Sequence, residues 1–238
     1  MTEPTETPRG IRAVLFDAVG TLFHSDPPIT RVYAETGRRW GAMLDESEVA
    51  ARFTPAFLRH FGRAGRGSPA ALTVSSEWLE RDRWRRVVAD VFVEVPDAGE
   101  GLFQSLWDHF ARGANWRLFP DVVPTWQALR SRGLPLGIAS NYDGRLLSVL
   151  RELPPLDECR HVFHSARLGH SKPGRGFFQA IEAEMGLRPD ELLFVGDDRT
   201  NDYHGALDAG WRALWIVRTG GAEEGGQIRS LAEVLDHV

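Results

Sequence analysis

Four short apolar runs punctuate the chain: "AVLFD" at 13–17, "LPLGIAS" at 134–140, "LLFVGD" at 192–197 and "RALWIV" at 212–217. "RHVFHS" at 160–165 is a weaker fifth. None alternates cleanly between polar and apolar positions, which is the pattern of strands covered on both faces rather than one. Between them lie segments with helical spacing, "VVPTWQALRSRG" at 122–133, "GRLLSVLREL" at 144–153, "GRGFFQAIEAEMG" at 174–186 and "TNDYHGALDAG" at 200–210. Three of these end on Gly133, Gly186 and Gly210, each suited to a left-handed helix cap. Strand and helix alternating at this interval predict βαβ units, hence an α/β fold with a doubly wound parallel sheet.

Residues 25–115 break the rhythm. "ITRVYAETGRRWG", "DESEVAARFTPAFLRHF", "VSSEWLERDRWRRVVADVFVEV" and "EGLFQSLWDHFARG" have helical spacing with no comparable strand run. A structureless loop of that length is improbable inside a sheet domain. The expectation is a smaller helical domain over 25–115, inserted directly after the first strand, with 1–24 and 116–238 forming the sheet domain. The segment "GRAGRGSPA" at 62–70 reads as a flexible connection within the insertion.

Composition narrows the function classes. With 238 residues, 42% of them hydrophobic, the chain can build one large core and a smaller one. A net charge of −5 supplies no cationic field for gathering phosphates, so neither nucleic acid nor an anionic membrane is expected as a partner. The N-terminal "MTEPTETPRG" has no apolar stretch of the kind that makes a signal peptide or anchor, and a cytoplasmic location is expected. Cys159 is the sole cysteine, which excludes an internal disulfide or a thiolate metal cluster. Nothing in the pattern specifies an oligomeric state. Of 28 basic residues one is lysine, Lys172, leaving 27 arginines. A chain that accepts arginine everywhere else keeps lysine where a compact ammonium on a flexible stem is needed.

Ligands of open α/β sheets sit at the carboxyl ends of the strands. Those ends carry Asp17 in "FDAVGT", Ser140 and Asn141 in "IASN", and Asp197 and Asp198 in "FVGDDRTND". With "SKPGRGFF" around Lys172, these four pieces in this order resemble the four motifs of the haloacid dehalogenase-like (HAD) hydrolase superfamily. The helical insertion between the first two resembles the C1 cap of its subfamily I. The resemblance implies a Rossmann-like core and hydrolysis of a small phosphorylated substrate through an aspartyl-phosphate on Asp17. Phosphoryl transfer asks the protein mainly for positioning and charge neutralisation. Thr21, Ser140 and Asn141 would bind the substrate, and Lys172 would place its charge between the phosphoryl group and Asp17. The crowded carboxylates Asp17, Asp197 and Asp202 would repel one another without a hard cation. Mg²⁺ is the cofactor implied, held by Asp17, the Val19 carbonyl and Asp197, with Asp202 binding directly or from outside. Asp198 reads equally as a metal-site acid and as the N-cap of the helix that follows.

One position departs from the pattern. Where phosphatases of the family carry a second aspartate, the proton donor to the leaving group, this chain has Val19. General acid catalysis contributes about 10²–10⁴ in rate, so alkyl phosphates would suffer most and acyl phosphates, aryl phosphates and anhydrides least. Two alternatives follow: a fold-retaining binding or regulatory protein, and a 2-haloacid dehalogenase, which expels halide without a proton donor but has little use for an acid cluster. Schiff-base phosphonatase chemistry needs a lysine in the insertion, and there is none. Substitute donors by proximity are His24, Asp26, Tyr142 and Asp143, with Tyr33, His60 and His109 in the insertion. Trp40, Trp78, Trp84 and Trp107 have helical settings that favour core packing over substrate stacking. "RDRWRR" at 81–86 reads as a solvated face or an edge facing a partner.

Overall fold

The computed structural model describes residues 10–62, 73–95, 99–220 and 225–238. Apart from Gly62, the connection expected at 62–70 lies outside them. Five strands appear where the apolar runs predicted them: β1 (Ala13–Phe16), β4 (Leu136–Ser140), β5 (His161–His164), β6 (Leu192–Gly196) and β7 (Arg212–Ile216). A short β8 (Gln227–Ile228) joins them in one parallel sheet ordered β5-β4-β1-β6-β7-β8. Helices α5 (Val122–Ser131), α6 (Arg145–Leu150), α7 (Ser165–Leu168), α8 (Arg175–Met185) and α9 (Gly205–Asp208) connect its strands. The fold is thus the Rossmann-like α/β architecture expected.

The sheet is buried on both faces. Val14, Phe16, Ile138, Leu193 and Val195 point into one hydrophobic cluster, whereas Leu15, Ala139, Phe163 and Phe194 point into another. Adjacent residues of β1 therefore serve opposite faces, as the two-residue period of a strand requires. Each fully buried Phe or Leu contributes about 1.5–3 kcal/mol, so the sheet is a rigid platform for whatever its strand ends carry.

A feature absent from the expectation is the antiparallel ribbon β2 (Phe23–Ser25) with β3 (Trp116–Leu118), in which Phe23 pairs with Leu118 and Ser25 with Trp116. The chain leaves the sheet through one strand of this ribbon and returns through the other. Between them lie α1 (Ile29–Arg39), α2 (Glu46–Phe61), α3 (Glu77–Val91) and α4 (Gly99–His109), packed on their own cluster of Val32, Tyr33, Val49, Val88, Phe103 and their neighbours. Helix α2 starts on a capping box, in which the Asp45 side chain accepts from the Glu48 N–H and Glu48 reaches back to the Asp45 N–H.

The segment 200–210 differs from the single helix expected. Arg199–His204 forms a π-helical turn, and only Gly205–Asp208 is α-helical. The wider turn accompanies two demands on adjacent acids: Asp198 caps the turn while Asp202 points inward.

Candidate active site

β1, β4 and β6 are neighbours in the sheet, so their carboxyl ends bring Asp17, Ser140 and Asp197 to one rim. The Asp17 N–H donates to the Val195 carbonyl at 2.9 Å, which holds the nucleophile candidate in line with β6. The turn after it requires glycine twice over: Gly20 has φ +89°, and a Cβ there would run into the Asp197 carboxylate. Gly196 meets the same restriction from Asp202. Thr21 is fully buried and donates through Oγ1 to Asp197 Oδ1 at 3.2 Å. From behind, Arg218 donates to the Thr21 carbonyl at 2.7 Å and to Asp121 at 2.9 Å, bracing the turn against β7.

Lys172 enters from the loop between α7 and α8. Its buried ammonium donates to Asp17 Oδ1 at 2.6 Å, to Asp202 Oδ1 at 2.6 Å and to the Ala139 carbonyl at 3.2 Å. Burial alone would lower its pKa, but the two carboxylates outweigh that and hold it charged, above the ordinary lysine range. Asn141 fastens the loop with both ends of its amide: Oδ1 accepts from the Lys172 N–H at 2.7 Å, and Nδ2 donates to the Lys172 carbonyl at 3.0 Å. It still borders the cavity, but its hydrogen bonds orient the lysine. Ser140 is buried and lines the same cavity.

Carboxylate oxygens of Asp17, Asp197 and Asp202 come within 4.8 Å of one another. Burial and then the charge of Asp17 push Asp197 up to about 6. Burial and the neighbouring acids push Asp202 upward too, against the pull of Lys172. Three acids against one ammonium, with oxygen donors alone, is a set that suits a hard divalent cation. Asp198 takes the capping role: its side chain accepts from the N–H groups of Thr200 and Asn201, both at 2.8 Å.

The site opens into a cavity of about 820 Å³ that reaches α2 and α3. Val19 is part of its wall. Of the substitute proton donors, Tyr33, His60 and Tyr142 line the cavity, while His24, Asp26, Asp143 and His109 are not among its lining residues. His24 lies exposed on the ribbon, its ring against Phe119, and Asp143 is tied to Arg145 by bonds of 2.8 and 2.7 Å.

Other lining groups escaped sequence reasoning. Glu80 is 4% exposed, accepts from Ser75 at 2.7 Å and Arg83 at 2.8 Å, and has its pKa raised chiefly by burial. Arg145 stacks 3.4 Å from the Trp107 ring centroid and closes the cavity between α6 and α4. The tryptophan expectation needs correction as well. Trp84 packs on the insertion's cluster but also lines the cavity, and Trp78 and Trp40 are exposed. Within "RDRWRR", Asp82, Arg83, Trp84 and Arg86 face the cavity and Arg85 pairs with Glu100 on the outer surface. The 53/57/61 spacing of phenylalanines on α2 was the available signal for the aromatic wall; Arg218 had none.

Comparison with known proteins identifies the family and the fold. The family model for haloacid dehalogenase-like hydrolases matches residues 11–210. Rhythmically expressed gene 2 protein of Drosophila melanogaster is 27% identical over 220 residues, covering 86% of this chain and 82% of its own. Among solved structures, a HAD phosphatase from Thermococcus onnurineus is 24% identical with a TM-score of 0.64, covering 95% of this chain and 97% of its own. A dehalogenase structure is 20% identical with a TM-score of 0.71, covering 96% and 97%. Both share the fold, and the family match spans the strand ends from Asp17 to Asp202. The chain is a hydrolase of the haloacid dehalogenase-like family.

Proposed function

We propose that the protein is a Mg²⁺-dependent phosphatase that acts on a small phosphorylated metabolite through Asp17, with the helical insertion serving as a C1-type cap and residues 1–24 and 116–238 as its catalytic core. The observation that carries this reading is the convergence of Asp17, Asp197 and Asp202 around the only lysine in the chain. A halide-expelling enzyme has little use for that cluster, and a purely binding module has no use for a charged, buried lysine bonded to the nucleophile candidate.

Asp17, Asp197 and Asp202, with the Val19 carbonyl, would hold the metal, which neutralises charge on the phosphoryl oxygens when bound. The chain's own residues do the rest. Lys172 offsets charge at Asp17 and at the incoming phosphoryl group. Ser140 borders the cavity beside Asp17, whereas the sequence-expected substrate contact Thr21 is buried outside the cavity lining and anchors Asp197 through its hydroxyl; Asn141 keeps Lys172 in place. An Asp17 carboxylate oxygen attacks phosphorus and the leaving group departs; water then attacks the same phosphorus and frees Asp17. Val19 gives no proton, so leaving groups stable as anions are favoured.

The test is phosphate release from acetyl phosphate. Turnover that needs Mg²⁺ and is lost in Asp17→Asn supports the reading. Absence of turnover, with tight Mg²⁺-dependent binding of beryllofluoride, would indicate a binding protein instead. Val19 and the dehalogenase-like fold together favour one second reading, a 2-haloacid dehalogenase; chloride release from 2-chloropropionate in the presence of a chelator would establish it.

A further inference from the structure

The cavity above the acid cluster has a wall that phosphoryl chemistry does not require. On α2, Phe53, Phe57 and Phe61 recur every four residues and so share one helix face. Phe53 and Phe57 stack with centroids 6.1 Å apart and planes 14° from parallel; Phe57 and Phe61 stack at 4.9 Å and 20°. Trp84 of α3 tilts against Phe57 at 5.8 Å, and Tyr33 of α1 meets Phe53 edge-on at 5.1 Å. All five rings line the cavity that also holds Asp17, Val19 and Lys172.

Core packing explains part of this row, since Tyr33 belongs to the insertion's buried cluster and Phe53, Phe61 and Trp84 pack against it, but it does not explain Phe57. Phe57 is half-buried and is not among the residues packed on the insertion's buried cluster. Flat apolar rings facing an internal, water-accessible space are stabilised when an apolar group covers them. Aromatic rings also prefer other rings in offset or edge-on contact. At the opposite end of the same space, Val19 demands a leaving group that departs without a proton. Both ends describe one kind of molecule.

Building on the phosphatase reading above, we propose that the preferred substrate is a phosphoric anhydride or ester whose leaving group bears an aromatic ring, seated against Phe57 and Trp84. Benzoyl phosphate is the simplest representative. A carboxylate oxygen of Asp17 attacks phosphorus, and the bond from phosphorus to the benzoate oxygen breaks with its electron pair leaving on benzoate. Water then attacks phosphorus and the bond to Asp17 breaks. Both water protons end on phosphate, giving benzoate, dihydrogen phosphate and free Asp17.

Acetyl and benzoyl phosphate expel carboxylates of similar basicity, so their comparison isolates the ring. With Mg²⁺, the wild-type enzyme should show a roughly tenfold lower KM for benzoyl phosphate, the scale of one or two aromatic contacts. Phe57→Ala, checked for folding by circular dichroism, should reduce that preference to about twofold or less. Phenylphosphonate should inhibit acetyl phosphate turnover by wild type about tenfold more tightly than methylphosphonate, which needs no variant. Turnover of both acyl phosphates with equal KM would overturn the aromatic preference and leave the phosphatase reading standing. Turnover of neither would overturn both.

Discussion

Val19 and Gly20 sit side by side in the turn after β1 and restrict the site in different ways. Val19 withholds a proton donor. Val19→Asp is therefore expected to raise kcat on alkyl phosphates by about 10²–10⁴ while changing acyl phosphate turnover little, as measured by phosphate release from both classes. Gly20 supplies a left-handed backbone beneath the Asp197 carboxylate. Gly20→Ala must displace that acid, and a displacement on the ångström scale is expected to lower kcat on acetyl phosphate by about 100-fold. Glu80 gives a third prediction. Its folded pKa is raised by burial above the ordinary 4.5, so its contribution to stability is greatest below that value and declines as pH rises through the folded one. Urea midpoints should show this decline in wild type and a flatter profile in Glu80→Gln. Asp17 and Lys172 were legible in the sequence because a strand end and a solitary lysine are one-dimensional signals. Glu80 was not, since its burial depends on Ser75 and Arg83 and on the folded position of α3.

At the scale of elements, the apolar runs located β1, β4, β5, β6 and β7, for a buried strand must be continuously apolar whatever its neighbours. The ribbon β2–β3 was hidden because each strand has three residues and its partner lies more than 90 positions away. The π-helical turn was hidden for a similar reason: only in three dimensions must Asp198 cap it while Asp202 meets Lys172. Several hydrogen bonds join the start of α3 to the sheet domain. Residues 73–77 lie across the loops after β4 and α7, with the Ser75 N–H donating to the Gly169 carbonyl at 3.1 Å and the Ser171 N–H to the Thr73 carbonyl at 2.7 Å. Glu77 accepts from the Gly144 N–H at 3.0 Å. Glu77→Ala removes that acceptor, and amide hydrogen exchange at Gly144 is expected to accelerate while exchange in β1 and β6 stays unchanged.

For the molecule as a whole, the helical insertion and the sheet build one cavity from separate hydrophobic clusters, with the acids at the sheet end and the rings at the insertion end. The sheet end was readable because its residues follow strand ends. The insertion end was not, because helical aromatic spacing looks the same whether a ring packs inward or lines a void. Among the described residues no helix is long and apolar enough to cross a membrane. A cation drawn to the crowded acids should stabilise the fold: Mg²⁺ at about 100 times its Kd is expected to raise Tm by about 5–10 °C, and this rise should shrink in Asp197→Asn. In the mechanism proposed above, Asp17 carries the phosphoryl group during turnover. Rapid acid quench of the enzyme with acetyl phosphate and Mg²⁺, followed by peptide mass spectrometry, tests it most directly. A phosphoryl group is expected on Asp17 and is expected to be absent without the metal. Steady phosphate release with Asp17 unmodified at every quench time would contradict that mechanism.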